Sequence, residues 1–335
     1  MLERFTAEEL KEKYGEISSA AHEKGTPIII TKDDKEDLVV LDPKRYNQLL
    51  KLLQESTKKA QAATAAAEAA ASAPVVPQGL LAVEEAVKRR AAMTTAAPKG
   101  GYAIETEKLT KMFGSFTAVD AVSMHVKYGA IYGLVGKNGA GKTTLMRMLL
   151  GLSIPTDGEM MLLERRGVDL DTVRRRTGAI IENPTFYKDM TVYENLAIRA
   201  QLIGLSSPKE KIREVLELVR LQDHVNMKAG SLSEGMRQSL GIAAALLGDP
   251  ELLILDEPIN ALDPQAIANI REILIQVSAK GVSVLISSHI LSELEKIATD
   301  YGILVNGKLV KEISAEEIVA QKIDLEAEFL RLANQ

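Results

Sequence analysis

The sequence predicts an α/β chain whose large α/β region runs from Tyr102 to the C-terminus, preceded by a small α+β unit and an alanine-rich linker. Three observations carry this reading. Short apolar runs, AIYGLV (130–135), ELLIL (251–255) and VSVLIS (282–287), have the length and composition of strands buried on both faces. Each is followed directly by polar residues suited to chemistry. Composition also shifts twice, near Ser56 and near Tyr102.

With 335 residues, the chain has room for two domains at about 150 residues each. Hydrophobic residues make up 46% and charged residues 26%, ordinary globular usage. Lys and Arg total 41 against 46 Asp and Glu, a net charge of −5, which argues against a protein that coats nucleic acid. The absence of cysteine excludes disulfides, cysteine-ligated metal centres and a cysteine nucleophile. No run approaches the ~18 apolar residues of a membrane helix, and the charged start MLERFTAEELKEKYGE is unlike a signal peptide. The expectation is a soluble intracellular chain whose membrane role, if it has one, comes through a partner.

Residues 1–55 read as α-β-β-α. Thr6-Ala7-Glu8-Glu9 fits a capping box, with Leu10, Tyr14, Ile17 and Ala21 following at helical spacing. PIIIT (27–31) and LVVLD (38–42) bracket the charged turn KDDKED as a hairpin would, and Pro43 opens a second helix carrying Tyr46, Leu49, Leu50 and Leu53. So small a unit buries little alone, so its apolar faces call for a partner. Residues 56–101 are rich in alanine and interrupted at Pro74 and Pro77, which predicts a spacer; within it, GLLAVEEAVKRRAAM (79–93) suits a short helix with Leu80, Val83 and Val87 on one side.

In the third segment, AIYGLV leads into Gly136-Lys137-Asn138-Gly139-Ala140-Gly141-Lys142-Thr143, then Thr144 and a helical run. This is the P-loop pattern G-x-x-x-x-G-K-S/T in strand–loop–helix context. Its backbone N–H groups and helix N-terminus suit phosphates, Lys142 suits the β/γ-phosphates, and the Thr143 hydroxyl suits Mg²⁺. The run ELLILDEP places Asp256 and Glu257 at the C-terminal end of a buried strand, where open α/β sheets bind ligands. Asp256 is suited to holding Mg²⁺ through water and Glu257 to polarising the attacking water.

Ser231-Leu232-Ser233-Glu234-Gly235-Met236-Arg237-Gln238 precedes that strand, Asn260-Ala261-Leu262-Asp263-Pro264 follows it, and VSVLISSH ends in His289. On these motifs, residues 102–335 resemble the ATP-binding subunit of ABC transporters. IIENPTFYKDMTVYENL (180–196), LSEGMRQSLGIA (232–243) and DLEAEFLRL (324–332) are most similar to the subgroup exporting bacitracin, lantibiotics and related peptides. The resemblance implies a P-loop ABC cassette with a helical signature subdomain near 185–248, and ATP and Mg²⁺ as cofactors. Phe113 of KMFG matches the aromatic that stacks on adenine, with Phe116 the neighbouring candidate. Ser233 and Gly235 match the signature loop that grips the γ-phosphate held by the other subunit. Asp263 matches the loop passing between subunits, and His289 the switch histidine at the γ-phosphate. Glu182 stands where a glutamine usually links nucleotide to the membrane partner, which keeps an oxygen for Mg²⁺ but adds charge. Glu234 and Met236 depart from the usual LSGGQ.

The partners implied are a separate transmembrane permease and a second copy of the chain. The location implied is cytoplasmic, at the inner face of the membrane. Residues 1–55 resemble the N-terminal domain of Phd/YefM-type antitoxins, on the EKG helix end, the PIIIT strand and VVLDPKRYNQLLKLL. That family dimerises and binds operator DNA, but the acidic turn here disfavours DNA. Two alternatives stay open: a non-transport ABC ATPase, and a DNA-binding regulator switched by ATP.

Overall fold

The structure, a computed structural model, describes residues 3–6, 28–32, 35–40, 77–93 and 100–333. The chain divides into two units, Met1–Val75 and Val76–Gln335.

In the first unit, β1 (Glu3–Thr6) runs parallel to β2 (Ile28–Lys32), and β2 pairs antiparallel with β3 (Lys35–Val40). The hairpin expected between the two apolar runs forms, with Ile28 opposite Val40. Its second strand starts earlier than the apolar pattern suggested, so Lys35, Glu36 and Asp37 of the charged turn belong to the strand. Strand β1 was not anticipated by the α-β-β-α pattern read over residues 1–55. The two helices expected at 7–24 and from Pro43 lie outside the described residues.

The second unit opens with α1 (Gln78–Met93). The short helix expected over 79–93 forms, and it docks, burying Leu80 and Val83 and packing Val87 against the main core. Two large apolar side chains suffice because burial of each stabilises by about 1.5–3 kcal/mol, and the receiving surface supplies the rest of the groove. At the helix start, Gly79 meets the carboxylate of buried Glu295 so closely that a Cβ would lie 2.2 Å from Oε1. At its end, Arg89 pairs with Glu272, and Arg90 donates to the Gly129 carbonyl.

The remaining chain builds two sheets. The antiparallel sheet consists of β4 (Tyr102–Phe113), β5 (Phe116–Val122), β8 (Asp157–Leu162) and β9 (Arg165–Arg166), with β6 (His125–Lys127) also pairing β4. The central sheet has the order β10-β11-β12-β7-β13-β14. Here β7 is Ile131–Val135, β10 Thr177–Ile180, β11 Leu252–Leu255, β12 Ser283–Ser288, β13 Asp300–Val305 and β14 Lys308–Ser314. All its pairings are parallel except β13–β14.

Successive side chains of a strand point to opposite faces, and both faces of this sheet are covered. Leu253, Leu255, Val284 and Ile286 enter one core, which also receives α1; Leu252, Ile254, Leu285 and Leu134 enter the other. That explains why these strands read as continuous apolar runs rather than alternating ones. The expected helical subdomain is present as α4 (Val192–Leu202), α5 (Pro208–Leu218) and α6 (Glu234–Leu246), after α2 (Lys142–Leu149) and α3 (Leu170–Arg174). Helix α4 starts with a reciprocal capping box between Thr191 and Glu194. The chain continues through α7 (Pro264–Ala279), α8 (Leu291–Leu294), α9 (Ala315–Gln321) and α10 (Leu325–Ala333). Among the described residues, no helix is long and apolar enough to cross a membrane.

Candidate phosphate-binding site

Parallel order places the C-terminal ends of β11, β12 and β7 side by side, and each delivers one part of the site. Strand β7 ends at Val135 and passes into the glycine-rich loop, which wraps toward the start of α2. Gly141 precedes that helix with φ of +105°, and a Cβ there would lie 2.4 Å from the Ala118 carbonyl oxygen. Only glycine meets both conditions. Asn138, Gly139, Ala140, Gly141, Lys142, Thr143 and Thr144 line a cleft of about 390 Å³ together with Phe116, Ala118, Glu257 and Asn260.

Lys142 is 6% exposed, and its ammonium is held by three acceptors: the Gly136 carbonyl at 2.7 Å, the Lys137 carbonyl at 3.3 Å and Glu257 Oε1 at 3.2 Å. An ammonium has three donors, so its capacity is matched. The other Glu257 oxygen, Oε2, lies 2.7 Å from His289 Nδ1. A carboxylate only accepts, so the imidazole donates from Nδ1. Glu257 is thus clamped between a cation and a histidine, on a backbone with φ of +49°, a left-handed conformation that is strained for a glutamate.

Asp256 sits beneath this chain and is 2% exposed. Thr143 Oγ1 donates to its Oδ2 and Ser287 Oγ to its Oδ1, each at 2.6 Å. Among the described residues, no lysine or arginine pairs with it. A buried carboxylate held only by hydroxyls, beside a threonine at a P-loop, is a hard-oxygen donor set of the kind Mg²⁺ accepts. The residues present therefore fit that ion.

The other expected site residues lie apart from the cleft. Phe113 pairs with Phe116 across the β4–β5 hairpin, but only Phe116 lines the cleft. The Lys111 ammonium lies 5.0 Å from the centre of the Phe113 ring, while Phe116, the neighbouring candidate, faces the phosphate loop. Glu182 is not gathered with Thr143 and Asp256: it forms an ion pair with Arg147 of α2 at 2.5 Å. Ser233 caps α6, accepting from the Met236 N–H at 3.3 Å, and Gly235 lies against Ala266 of α7. Glu234 is drawn to Arg237 in an ion pair along the helix. Asp263 caps α7, accepting from the Ala266 N–H at 2.9 Å. Lys137 and Gly136 frame the loop from outside the cleft lining, and the Lys137 ammonium reaches the Ala333 carbonyl at 3.3 Å. Two residues of the site escaped sequence reasoning. Asn260 was seen only as part of a motif. Ser287 was hidden inside an apolar strand, where a polar residue with no surface to face was itself the signal.

The family profile described as ABC transporter matches residues 119–260. Over 219 residues the chain is 48% identical to the bacitracin transport ATP-binding protein BcrA of Enterococcus faecalis, covering 65% of this chain and 71% of that protein. It is 38% identical over 209 residues to the lantibiotic transport ATP-binding protein SrtF of Streptococcus pyogenes, covering 62% of this chain and 90% of that one. A solved structure of an ATP-binding subunit of an ABC transporter matches 69% of this chain and 99% of its own length, at 30% identity and a TM-score of 0.62. With a P-loop after β7, and after β11 a buried aspartate that meets its threonine and a clamped glutamate, this chain belongs to the ATP-binding subunits of ABC transporters.

Proposed function

We propose that this subunit hydrolyses ATP at the Lys142–Glu257–His289 cluster to drive a separate permease that exports bacitracin-like, lantibiotic-like or related peptides. The observation that carries the chemistry is the Glu257 carboxylate held between the Lys142 ammonium and His289 Nδ1. The export class rests on the names of the two relatives above.

In this reading the loop N–H groups and the start of α2 receive the phosphates. Lys142 exchanges its loop carbonyls for β/γ-phosphate oxygens. Glu257 orients the attacking water, and His289 fixes the carboxylate through its Nδ1 proton and presents its other nitrogen to the γ-phosphate. Thr143 and Asp256 would hold Mg²⁺, which supplies charge neutralisation on the transferring phosphoryl group. Glu182 joins them only by releasing Arg147. Phe116 stacks on the base.

Ser233 and Gly235 lie outside this cleft, which supports their serving the cleft of a second copy. The permease is assigned to the groove of about 340 Å³ bordered by Pro184, Phe186, Tyr187, Ile198 and Leu202, where Tyr187 and Leu202 are exposed. In this reading the subunit sits at the cytoplasmic face of the membrane, bound through the permease. Residues 1–55 act as an antitoxin-like dimerisation unit, with DNA the less favoured ligand.

The test is Glu257→Gln. Turnover should fall about 10²–10⁴-fold, the usual worth of a general base, while ATP binding persists. Lys142→Ala should weaken binding itself. Turnover near wild type in Glu257→Gln would remove this residue from the mechanism.

A further inference from the structure

We infer that Ser287 is a positioning residue of the hydrolytic site, coupling the metal-side carboxylate of Asp256 to the backbone of Glu257 through one buried hydroxyl. This rests on the reading of Asp256 and Glu257 given above.

Parallel pairing of β11 with β12 sets Leu255 opposite Ile286, so the next residues stand side by side, Asp256 just past β11 and Ser287 still within β12. Ser287 is completely buried. Its hydroxyl donates to Asp256 Oδ1 at 2.6 Å and accepts the Glu257 N–H at 2.8 Å. One proton and one lone pair are therefore committed in opposite directions, which fixes the hydroxyl rotamer. The adjacent Ser288 is used differently: its hydroxyl accepts the Ile290 N–H at 2.9 Å and only shapes the turn after the strand.

Each end of this bridge holds a group that the proposed site depends on. Asp256 is gripped on Oδ2 by Thr143 and on Oδ1 by Ser287, so the plane of its carboxylate is set by two hydroxyls from different elements. Glu257 sits at a left-handed φ of +49°, and the bond from its own N–H to Ser287 holds that conformation in place. Removing the hydroxyl frees the carboxylate to rotate about Oδ2 and releases the strained peptide that aims Glu257 at Lys142 and His289. One residue therefore adjusts both the metal side and the water side of the reaction, without touching either ligand. Residues placed behind a ligating carboxylate typically change metal affinity or activity by about 10–100-fold when lost.

The test uses the full chain with Ser287→Ala and Ser287→Thr, measured beside Glu257→Gln. Three quantities are read: turnover against Mg²⁺ concentration, fluorescent-ATP affinity in Mg²⁺, and the same affinity in EDTA. For Ser287→Ala, the Mg²⁺ concentration giving half-maximal binding enhancement should rise about 10–100-fold and kcat should fall in the same range. Affinity in EDTA, set by the P-loop, should match wild type, which also shows that the cassette is folded. Ser287→Thr keeps the hydroxyl on a strand that accepts β-branched residues and should restore most of both losses. The inference is overturned if Ser287→Ala leaves the Mg²⁺ response unchanged, if its affinity falls equally in EDTA, or if the threonine variant is as impaired as the alanine one. Wild-type turnover in Glu257→Gln would instead overturn the underlying site reading, whatever Ser287 does.

Discussion

Phe113 and Phe116 are three residues apart, both more than half exposed, and joined across one hairpin; yet only Phe116 reaches the phosphate cleft. Base stacking on an aromatic ring is worth about 1–3 kcal/mol. Phe116→Ala is therefore expected to weaken fluorescent-ATP binding by an amount in that range, and Phe113→Ala to leave it nearly unchanged. The reverse order would return the stacking role to Phe113. At this scale the phosphate loop, Asp256, Glu257 and His289 were legible because each residue type is demanded by its chemistry at a strand end. Phe116 was not separable from Phe113, since choosing between them depends on hairpin register, which local sequence does not encode. Glu234 is similar: as a departure from LSGGQ it suggested repulsion from phosphate, whereas its pairing with Arg237 turns the charge along the helix.

Helix α1 shows what composition conceals at the scale of an element. Its segment reads as a spacer because alanine dominates and only three apolar residues fall on one side, which is too little for a core of its own. The missing half of that core is supplied by the cassette, and no local pattern in the segment reveals it. Val83→Asp should therefore destabilise the cassette by several kcal/mol through an unpaired buried charge, read as a lowered midpoint of thermal unfolding. The opposite outcome, an unchanged midpoint, would return the segment to a spacer.

The same contact carries a pH dependence. Burial raises the Glu295 carboxyl above its usual range, with Glu326 and Asp324 adding to the effect and Lys296 opposing it. A carboxyl raised in the folded state binds protons more tightly there than in the unfolded chain. Stability from this group is therefore greatest below the usual glutamate pKa and declines as pH rises through the raised value. Glu295→Gln, tried at pH 7.5 and again near pH 4, roughly the usual glutamate range, should raise the unfolding midpoint at the higher pH and lose that advantage at the lower. An equal gain at both pH values would contradict the assignment.

For the whole molecule, the proposed second copy follows from where the parts of the site lie. The cleft contains the phosphate loop, Glu257 and Phe116, whereas Ser233 caps a helix outside that lining. A signature helix whose N-terminus lies outside its own cleft suits the proposed arrangement, in which the second copy brings the anion it binds. Dimerisation through residues 1–55 would raise the local concentration of paired cassettes. Deleting those residues should raise the protein concentration needed for half-maximal ATPase activity while leaving the limiting rate unchanged. The nucleotide fold was legible because the catalytic motifs sit at the ends of apolar strands of buried-sheet composition. The parallel strand β1 was not, because four residues paired with a distant strand leave no periodic signal.

The most direct measurement mixes two inactive variants, Lys142→Ala and Ser233→Arg, and reads ATP turnover. Alone, each forms a dimer in which both clefts lack one essential part. In a mixed dimer, the Lys142 of one subunit faces the Ser233 of the other in one complete cleft, so turnover should appear on mixing and rise with the fraction of mixed dimers. A mixture no more active than the sum of its separate variants would contradict a hydrolytic site completed by a second copy of this chain.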